Sequence, residues 1–409
     1  MNLLFYLLVF LLVLIVSSTT NKLLPFLPMP LIQILLGIGI GLCLPNNQYH
    51  LDTELFLALV IGPLLFREAQ EADITSILKH WRIVLYLIFP VIFISALSMG
   101  GVAHVLWASL PLAACVAVGA ALGPTDLVAF ASLSQRFSFP KRVSNILKGE
   151  GLLNDASGLV AFRMALIAWT TGTFSLTQAG TSLAISIVGG FAVGFITALI
   201  NRFLHTFLLS VRATDIASEL LLELSLPLLT FFIAEEIHVS GIIAVVVAGI
   251  LKASRFKKIN LLEAQVDTVT ETVWQTVTFM LNGSVFVILG MELEMIAEPI
   301  LKSAFYNKVL LLLSVFLLTF LLFAIRFVMI YGFYAFRIKK LHKSLDKYVK
   351  DMLLLTFSGV KGTVSIATIL LIPSNLEQEH PLLLFLVAGV TLVSFLTGLL
   401  VLPHLSEEK

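Results

Sequence analysis

The residues best placed for chemistry in this chain are charged groups that interrupt long apolar runs. The densest group is Glu150-Gly151-Leu152-Leu153-Asn154-Asp155. Two carboxylates and an amide supply hard oxygen ligands and groups that can take up or release a proton. On a continuous helix Glu150 and Asn154 are i,i+4 neighbours, while Asp155 points about 140° away from Glu150. The two carboxylates then face different surroundings. Glu150 is expected to meet a fixed cation, and Asp155 a cavity. Lys361 is the expected partner of Glu150, because a lone buried ammonium would neutralise, and that ion pair is expected to fix helix packing. A second group is Gly123-Pro124-Thr125-Asp126. Pro124 removes a backbone donor and clashes with the preceding turn, so a helix should break near 123–126. A break inside hydrocarbon is tolerated only where it lines a cavity or is packed in protein. The freed carbonyls, with Thr125 and Asp126, add further oxygen ligands. A third group, Ser358-Gly359-Val360-Lys361-Gly362-Thr363, marks another weak point. Arg67, Glu68, Arg163, Glu223 and Arg326 also fall within apolar runs.

The elements that must position these groups are membrane helices. Of the 409 residues, 58% are hydrophobic and 12% charged, where a soluble domain carries about 25% charged residues. A bilayer core needs about 20 apolar residues in a helix. On that measure spans are predicted near 3–18, 30–45, 53–70, 82–100, 109–134, 144–171, 178–201, 216–237, 240–254, 272–292, 307–336, 351–373 and 382–402, thirteen in all. The loops after odd-numbered spans hold eighteen Lys and Arg, and those after even-numbered spans hold only Lys302 and Lys308. Positive loops stay on the cytoplasmic side, which predicts an outer N-terminus and a cytoplasmic C-terminus. The first apolar stretch has no preceding Lys or Arg and no clear cleavage site, so it reads as a span rather than a signal peptide.

The two weak helices occupy matching places. Span five is fifth of the first six, and span twelve is fifth of the last six, running the opposite way. Gly- and Pro-interrupted helices at equivalent positions of inverted halves point to a midplane ion or substrate site. The domain reading is one transmembrane unit over 1–409: a first repeat at about 1–171, a linker helix at about 178–201, a second repeat at about 216–402, and no soluble domain.

Other features point away from different functions. A net charge of +1 without a basic face gives no reason to expect a nucleic-acid partner. Cys43 and Cys115 sit in apolar runs and read as packing residues. The Gly37-x-Gly39-x-Gly41 run and the Gly190 and Gly194 pair read as close helix approaches. Glu219 and Glu223 near one set of helix ends, and Glu235, Glu236, Glu292 and Glu294 near the other, are expected to be solvated. Neither a P-loop, a zinc-binding His motif nor a nucleophile elbow is present, so neither enzymatic activity nor a cofactor is expected.

These stretches together resemble the monovalent cation:proton antiporters of the NhaP/NHE type. The resemblance runs through 63–70 (PLLFREAQ), 123–130 (GPTDLVAF), 149–163 (GEGLLNDASGLVAFR), 239–250 (VSGIIAVVVAGI), 324–331 (AIRFVMIY) and 357–367 (FSGVKGTVSIA). It implies thirteen helices with two crossed, unwound ones, and a homodimer in the plasma or inner membrane. Asp155 then looks like the carboxylate that holds either a monovalent cation or a proton, with Asn154, Asp126 and Thr125 around it. Asn154 in place of a second aspartate implies electroneutral exchange. Glu150 resembles the glutamate paired with a basic residue of the second unwound helix, here Lys361. Arg326 resembles an arginine that stabilises the core, and Arg163 is assigned the same role. Arg67 and Glu68 fall where the family often has an acidic residue. Sodium is the leading cargo. A potassium/proton exchanger and a proton-independent cation channel or uniporter are the rival readings.

Overall fold

The computed structural model describes all residues except 1, 25–26, 44–52, 127–128, 131–136, 173–175, 212–214, 254–260, 303–305, 342–347, 373–379, 406 and 409. Parts of the basic loops counted above, and the end of the fifth span at 131–134, lie outside the described residues. The regular structure of the described residues is helical, apart from a two-residue antiparallel pairing of Phe137–Ser138 with Glu407–Glu408.

In chain order the helices are α1 (Asn2–Leu23), α2 (Met29–Cys43), α3 (53–71), α4 (Ile74–Lys79), α5 (Trp81–Leu106), α6 (Leu112–Ala121), α7 (Lys141–Gly151), α8 (Asn154–Thr171), α9 (Leu176–Ser210), α10 (Ile216–Glu236), α11 (Gly241–Ala253), α12 (Leu261–Lys302), α13 (Lys308–Leu341), α14 (Val349–Phe357), α15 (Thr363–Ile369) and α16 (His380–Leu405). Every predicted span coincides with helix among the described residues, some in two pieces. Among the described residues six helices are long and apolar enough to cross a bilayer unaided. Spans five and twelve break as expected, into α6 plus the segment after Ala121, and into α14 and α15. Span six differs from expectation. It is two helices, α7 and α8, joined by a turn at Leu152 and Leu153. Glu150 and Asn154 are thus not one turn apart on a single helix. Pro90 sits in a wide turn of α5 over Leu87–Val91, where an extra residue absorbs the missing donor.

The chain forms two compact units. One comprises Met1–Pro25, His50–Ile74 and Thr177–Val285. Its helices approach closely where glycine permits. A Cβ on Gly194 of α9 would meet the Ala244 carbonyl of α11, and one on Gly190 would lie 2.8 Å from the Ser240 carbonyl oxygen. Asp215 caps α10 by accepting from the Ser218 N–H at 2.8 Å. Hydrogen bonds from Ser218, its side chain first and its backbone N–H second, hold the Asp215 carboxyl below the usual range.

Polar side chains in this unit that looked solvated from sequence are mostly paired. Glu219 lies 3.1 Å from His205, and Glu223 meets Lys252 at 3.3 Å and Gln70 at 2.9 Å. Burial alone would be costly for these carboxylates, and partners from α3, α9 and α11 offset it.

The second unit comprises Phe26–Tyr49, Thr75–Leu176 and Phe286–Lys409. Here α5, α6 and α8 pack together, and α13, α14, α15 and α16 form the neighbouring layer. A Cβ on Gly37 of α2 would meet the Val287 carbonyl of α12, and one on Gly290 of α12 would meet the Ile34 carbonyl of α2. Beyond that crossing Glu292 is 6% exposed, and its Oε2 has no hydrogen-bond partner among the described residues. The expectation that Glu292 meets water is therefore corrected.

Candidate functional site

Every element of the site lies in the second unit. The chain leaves α6 at Ala121 and runs irregularly through Gly123-Pro124-Thr125-Asp126 before a helical turn resumes at Ala129. It leaves α14 at Phe357 and runs irregularly to Gly362 before α15. The two breaks bond each other directly, since the Asp126 N–H donates to the Val360 carbonyl at 3.0 Å. Gly362 makes the crossing possible, because a Cβ there would fall on the Asp126 carboxylate. Asp126 also caps the resumed turn, its Oδ1 accepting from the Ala129 N–H at 2.9 Å.

A helix end leaves carbonyls without partners and carries partial negative charge. Just past the end of α6 Lys361 takes the carbonyls of the irregular segment. Its Nζ donates to the Gly123 oxygen at 2.8 Å and the Pro124 oxygen at 2.7 Å. The Lys361 N–H itself donates to Ser394 Oγ of α16 at 3.1 Å.

The expected Glu150–Lys361 ion pair is not what the structure holds. Glu150 is gripped by Arg326 of α13 through two parallel bonds, of 2.6 Å and 2.7 Å. Arg326 Nε donates to the Leu355 carbonyl of α14 at 2.9 Å. Gly359 leaves room for this guanidinium, which a Cβ would strike. The physical reason for the exchange of partners is geometric. The planar guanidinium fork matches a carboxylate, while a compact ammonium suits the cluster of carbonyls left open by Pro124.

Thr125 joins the pieces. Its hydroxyl donates to Glu150 Oε1 at 2.7 Å and accepts from Arg326 Nη1 at 3.2 Å. Its carbonyl accepts from Asn154 Nδ2 at 2.8 Å. Glu150 and Asn154 therefore converge on one residue even though their helix is broken. Ser157 braces the start of α8, its Oγ bonding the carbonyls of Asn154 and Ile88 at 2.7 and 2.8 Å.

Asp155 stands apart from this lattice. It is 5% exposed, and its Oδ1 has no hydrogen-bond partner among the described residues. The Oδ1 of the adjacent Asn154 is in the same condition. Two neighbouring side chains at the start of α8 thus present buried acceptor oxygens without donors, a set suited to a hard cation or a proton. Three acidic side chains, Glu150, Asp126 and Asp155, and two basic ones, Arg326 and Lys361, are all buried in this part of the fold.

The remaining expected residues lie elsewhere. Arg163 is exposed on α8, so the core-stabilising role expected of it does not match its position. Arg67 pairs with Glu71 and Glu271, and both Arg67 and Glu68 are half-buried in the other unit. Ser157 and Ser394 were not singled out from sequence. A lone serine in an apolar helix carries no pattern, and only the fold reveals what it bonds.

Interrupted helices that meet at buried carboxylates within a multi-pass helical bundle define the class, a polytopic membrane protein built like the ion antiporters. The model of the sodium/hydrogen exchanger transmembrane family matches residues 7–407, and the chain belongs to that family. Among relatives, the sodium, potassium, lithium and rubidium/H(+) antiporter of Bacillus pumilus is 35% identical over 96% of this chain and 60% of its own length. That of Bacillus subtilis is 35% identical over 100% and 62%. The chain thus spans about three-fifths of the length of these two relatives. An uncharacterized Na(+)/H(+) exchanger of Escherichia coli, YjcE, is 31% identical over 100% of this chain and 77% of its own length. The fold matches the sodium proton antiporter MjNhaP1 of Methanocaldococcus jannaschii with a TM-score of 0.71, covering 98% of this chain and 96% of that one at 17% identity.

Proposed function

We propose that this chain exchanges one monovalent cation, sodium foremost, for one proton across the plasma membrane. The observation that carries the reading is Asp155, a buried carboxylate whose Oδ1 has no hydrogen-bond partner among the described residues, beside the equally unpartnered Asn154 Oδ1. An ionised carboxylate alone and out of water is costly, and either a proton or a cation removes that cost. Asp155 then holds one or the other, and crossing empty is disfavoured. That penalty couples the two fluxes. Glu150 does not compete for the cargo, because Arg326 and Thr125 occupy it.

The charge inventory supports one-for-one, electroneutral exchange. With the three carboxylates ionised and both basic groups charged, one negative charge is left, which one proton or one monovalent cation neutralises. Under that stoichiometry each pH unit, worth about 1.4 kcal/mol, sustains at most about a tenfold cation gradient. The two Bacillus relatives are sodium, potassium, lithium and rubidium/H(+) antiporters, so lithium, potassium and rubidium belong in the assay beside sodium. Loop charge supports an outer N-terminus and a cytoplasmic C-terminus. The matched helix breaks support inverted repeats at about 1–171 and 216–402 with a linker at about 178–201. The family resemblance supports a homodimer.

The test is exchange in vesicles followed with a pH-sensitive dye. Asp155→Asn is expected to abolish cation-driven proton movement while the protein stays folded and inserted. Exchange at the unaltered rate in that variant overturns the assignment, and sodium flux indifferent to an imposed pH gradient favours a channel or uniporter.

A further inference from the structure

We infer that a groove on the outer face of α13 seats an acyl chain of a bilayer lipid, and that this chain packs behind the wall of the ion site. The groove has a volume of about 530 Å³ and is walled by α13, α14 and α16. On α13 it follows a helical stripe of Phe316, Phe320, Phe323 and Phe327. Phe357 of α14 closes one side, its ring 5.3 Å from that of Phe323. Phe316 and Phe320 are 59% and 70% exposed at the mouth, while Phe323 is 7% exposed at the floor. The slot therefore runs from the hydrocarbon inward, past the face that α13 presents to lipid.

The lining decides what fits. It includes no charged side chain. Its polar members are three threonines, and each hydroxyl is already used. Thr319 donates to the Val315 carbonyl at 2.8 Å, Thr356 to Met352 at 2.8 Å and Thr397 to Val393 at 2.7 Å. With no donor left over, water gains little there and an apolar chain loses nothing. A void in hydrocarbon forfeits dispersion contacts on every wall, and a lipid chain is the flexible apolar partner always present at this surface.

The groove also backs onto the site. Leu355, whose carbonyl holds Arg326, lies between the lining residues Leu353 and Thr356 of α14. Ser394, which holds the Lys361 N–H, follows the lining residue Val393 on α16. An occupying chain would press on both helices that carry these anchors.

The experiment uses the full chain in phospholipid vesicles doped with a phosphatidylcholine that carries a photoreactive diazirine in its acyl chain. After irradiation and digestion, labels are mapped by mass spectrometry. Labelling at 316–327 and 353–357 is expected to exceed, several-fold, labelling at the exposed Phe191, Phe195 and Phe203 of α9. Ala324→Trp and, separately, Thr397→Phe should fill the groove and remove its labels while leaving those on α9. Labelling that only follows exposure, equal on α9 and α13 in the unaltered protein, overturns the proposal. So does a Phe320→Cys protein that forms a disulfide-linked dimer in the membrane, which assigns the groove to a second copy.

Discussion

At the scale of single residues, Thr125 carries more of the site than its size suggests. Its hydroxyl and carbonyl are both spent on holding Glu150, Arg326 and Asn154 in register, which under the proposed exchange leaves the cargo to Asp155 and the Asn154 oxygen. The buried Arg326–Glu150 pair is structural, and its energetics follow from desolvation. Removing one partner strands the other charge, which costs about 3–5 kcal/mol. Glu150→Gln or Arg326→Met alone should therefore lower thermal stability in detergent strongly. The double variant should lose less than the sum of the two, and strictly additive losses would show that the pair is not coupled. Ser157, which bonds Ile88 and Asn154, offers a milder version. Ser157→Ala should lower exchange by loosening Asn154, with the fold kept, as read from flux at constant protein in the membrane.

At the scale of elements, the crossing of two broken helices depends on glycine. Gly359 and Gly362 abut Arg326 and Asp126, whereas a Cβ on Gly39 of α2 meets nothing within 4 Å. Overpacking typically costs about 1–3 kcal/mol. Gly362→Ala and Gly359→Ala should impair exchange severely, and Gly39→Ala should be silent in both flux and stability. A silent Gly362→Ala would mean that the two breaks are not held as tightly as their direct hydrogen bond indicates.

The same elements show what sequence could reveal. The spans were legible because apolar length is read directly against bilayer thickness, and the breaks at Pro124 and at Gly359 to Gly362 because proline and glycine act locally. The break between α7 and α8 was not legible. Only Gly151 hints at it, and the turn at Leu152 and Leu153 is set by what Glu150 and Asn154 bond. Partner choice was hidden for a like reason. Nothing local to Lys361 or Arg326 says which one meets Glu150, since their atoms are brought together across α13, α14 and the segment after α6. Glu219 and Glu223 looked solvated because their partners, His205 and Lys252, come from other helices.

At the scale of the whole molecule, the proposed one-for-one exchange is blind to voltage. If one proton replaces one monovalent cation, no net charge crosses. A potential imposed with potassium and valinomycin, under conditions where potassium itself is not the cargo, should leave the initial rate of sodium/proton exchange unchanged. A rate that rises or falls steeply with potential would show that more than one charge moves per cycle, and would give Asp126 or Lys361 a part in transport. The net charge of the buried cluster, read from three carboxylates and two cations, links the residue and molecular scales.

In the proposed mechanism a proton and a cation compete for Asp155. Calorimetric titration of sodium into the purified protein, repeated at several pH values and in buffers of differing ionisation heat, measures that competition directly. In the pH range where the free site is protonated, the account predicts an apparent Kd that weakens about tenfold for each pH unit of acidification. It also predicts one proton released per ion bound, with binding lost in Asp155→Asn. Sodium affinity indifferent to pH, with no proton release at any pH tested, would contradict it.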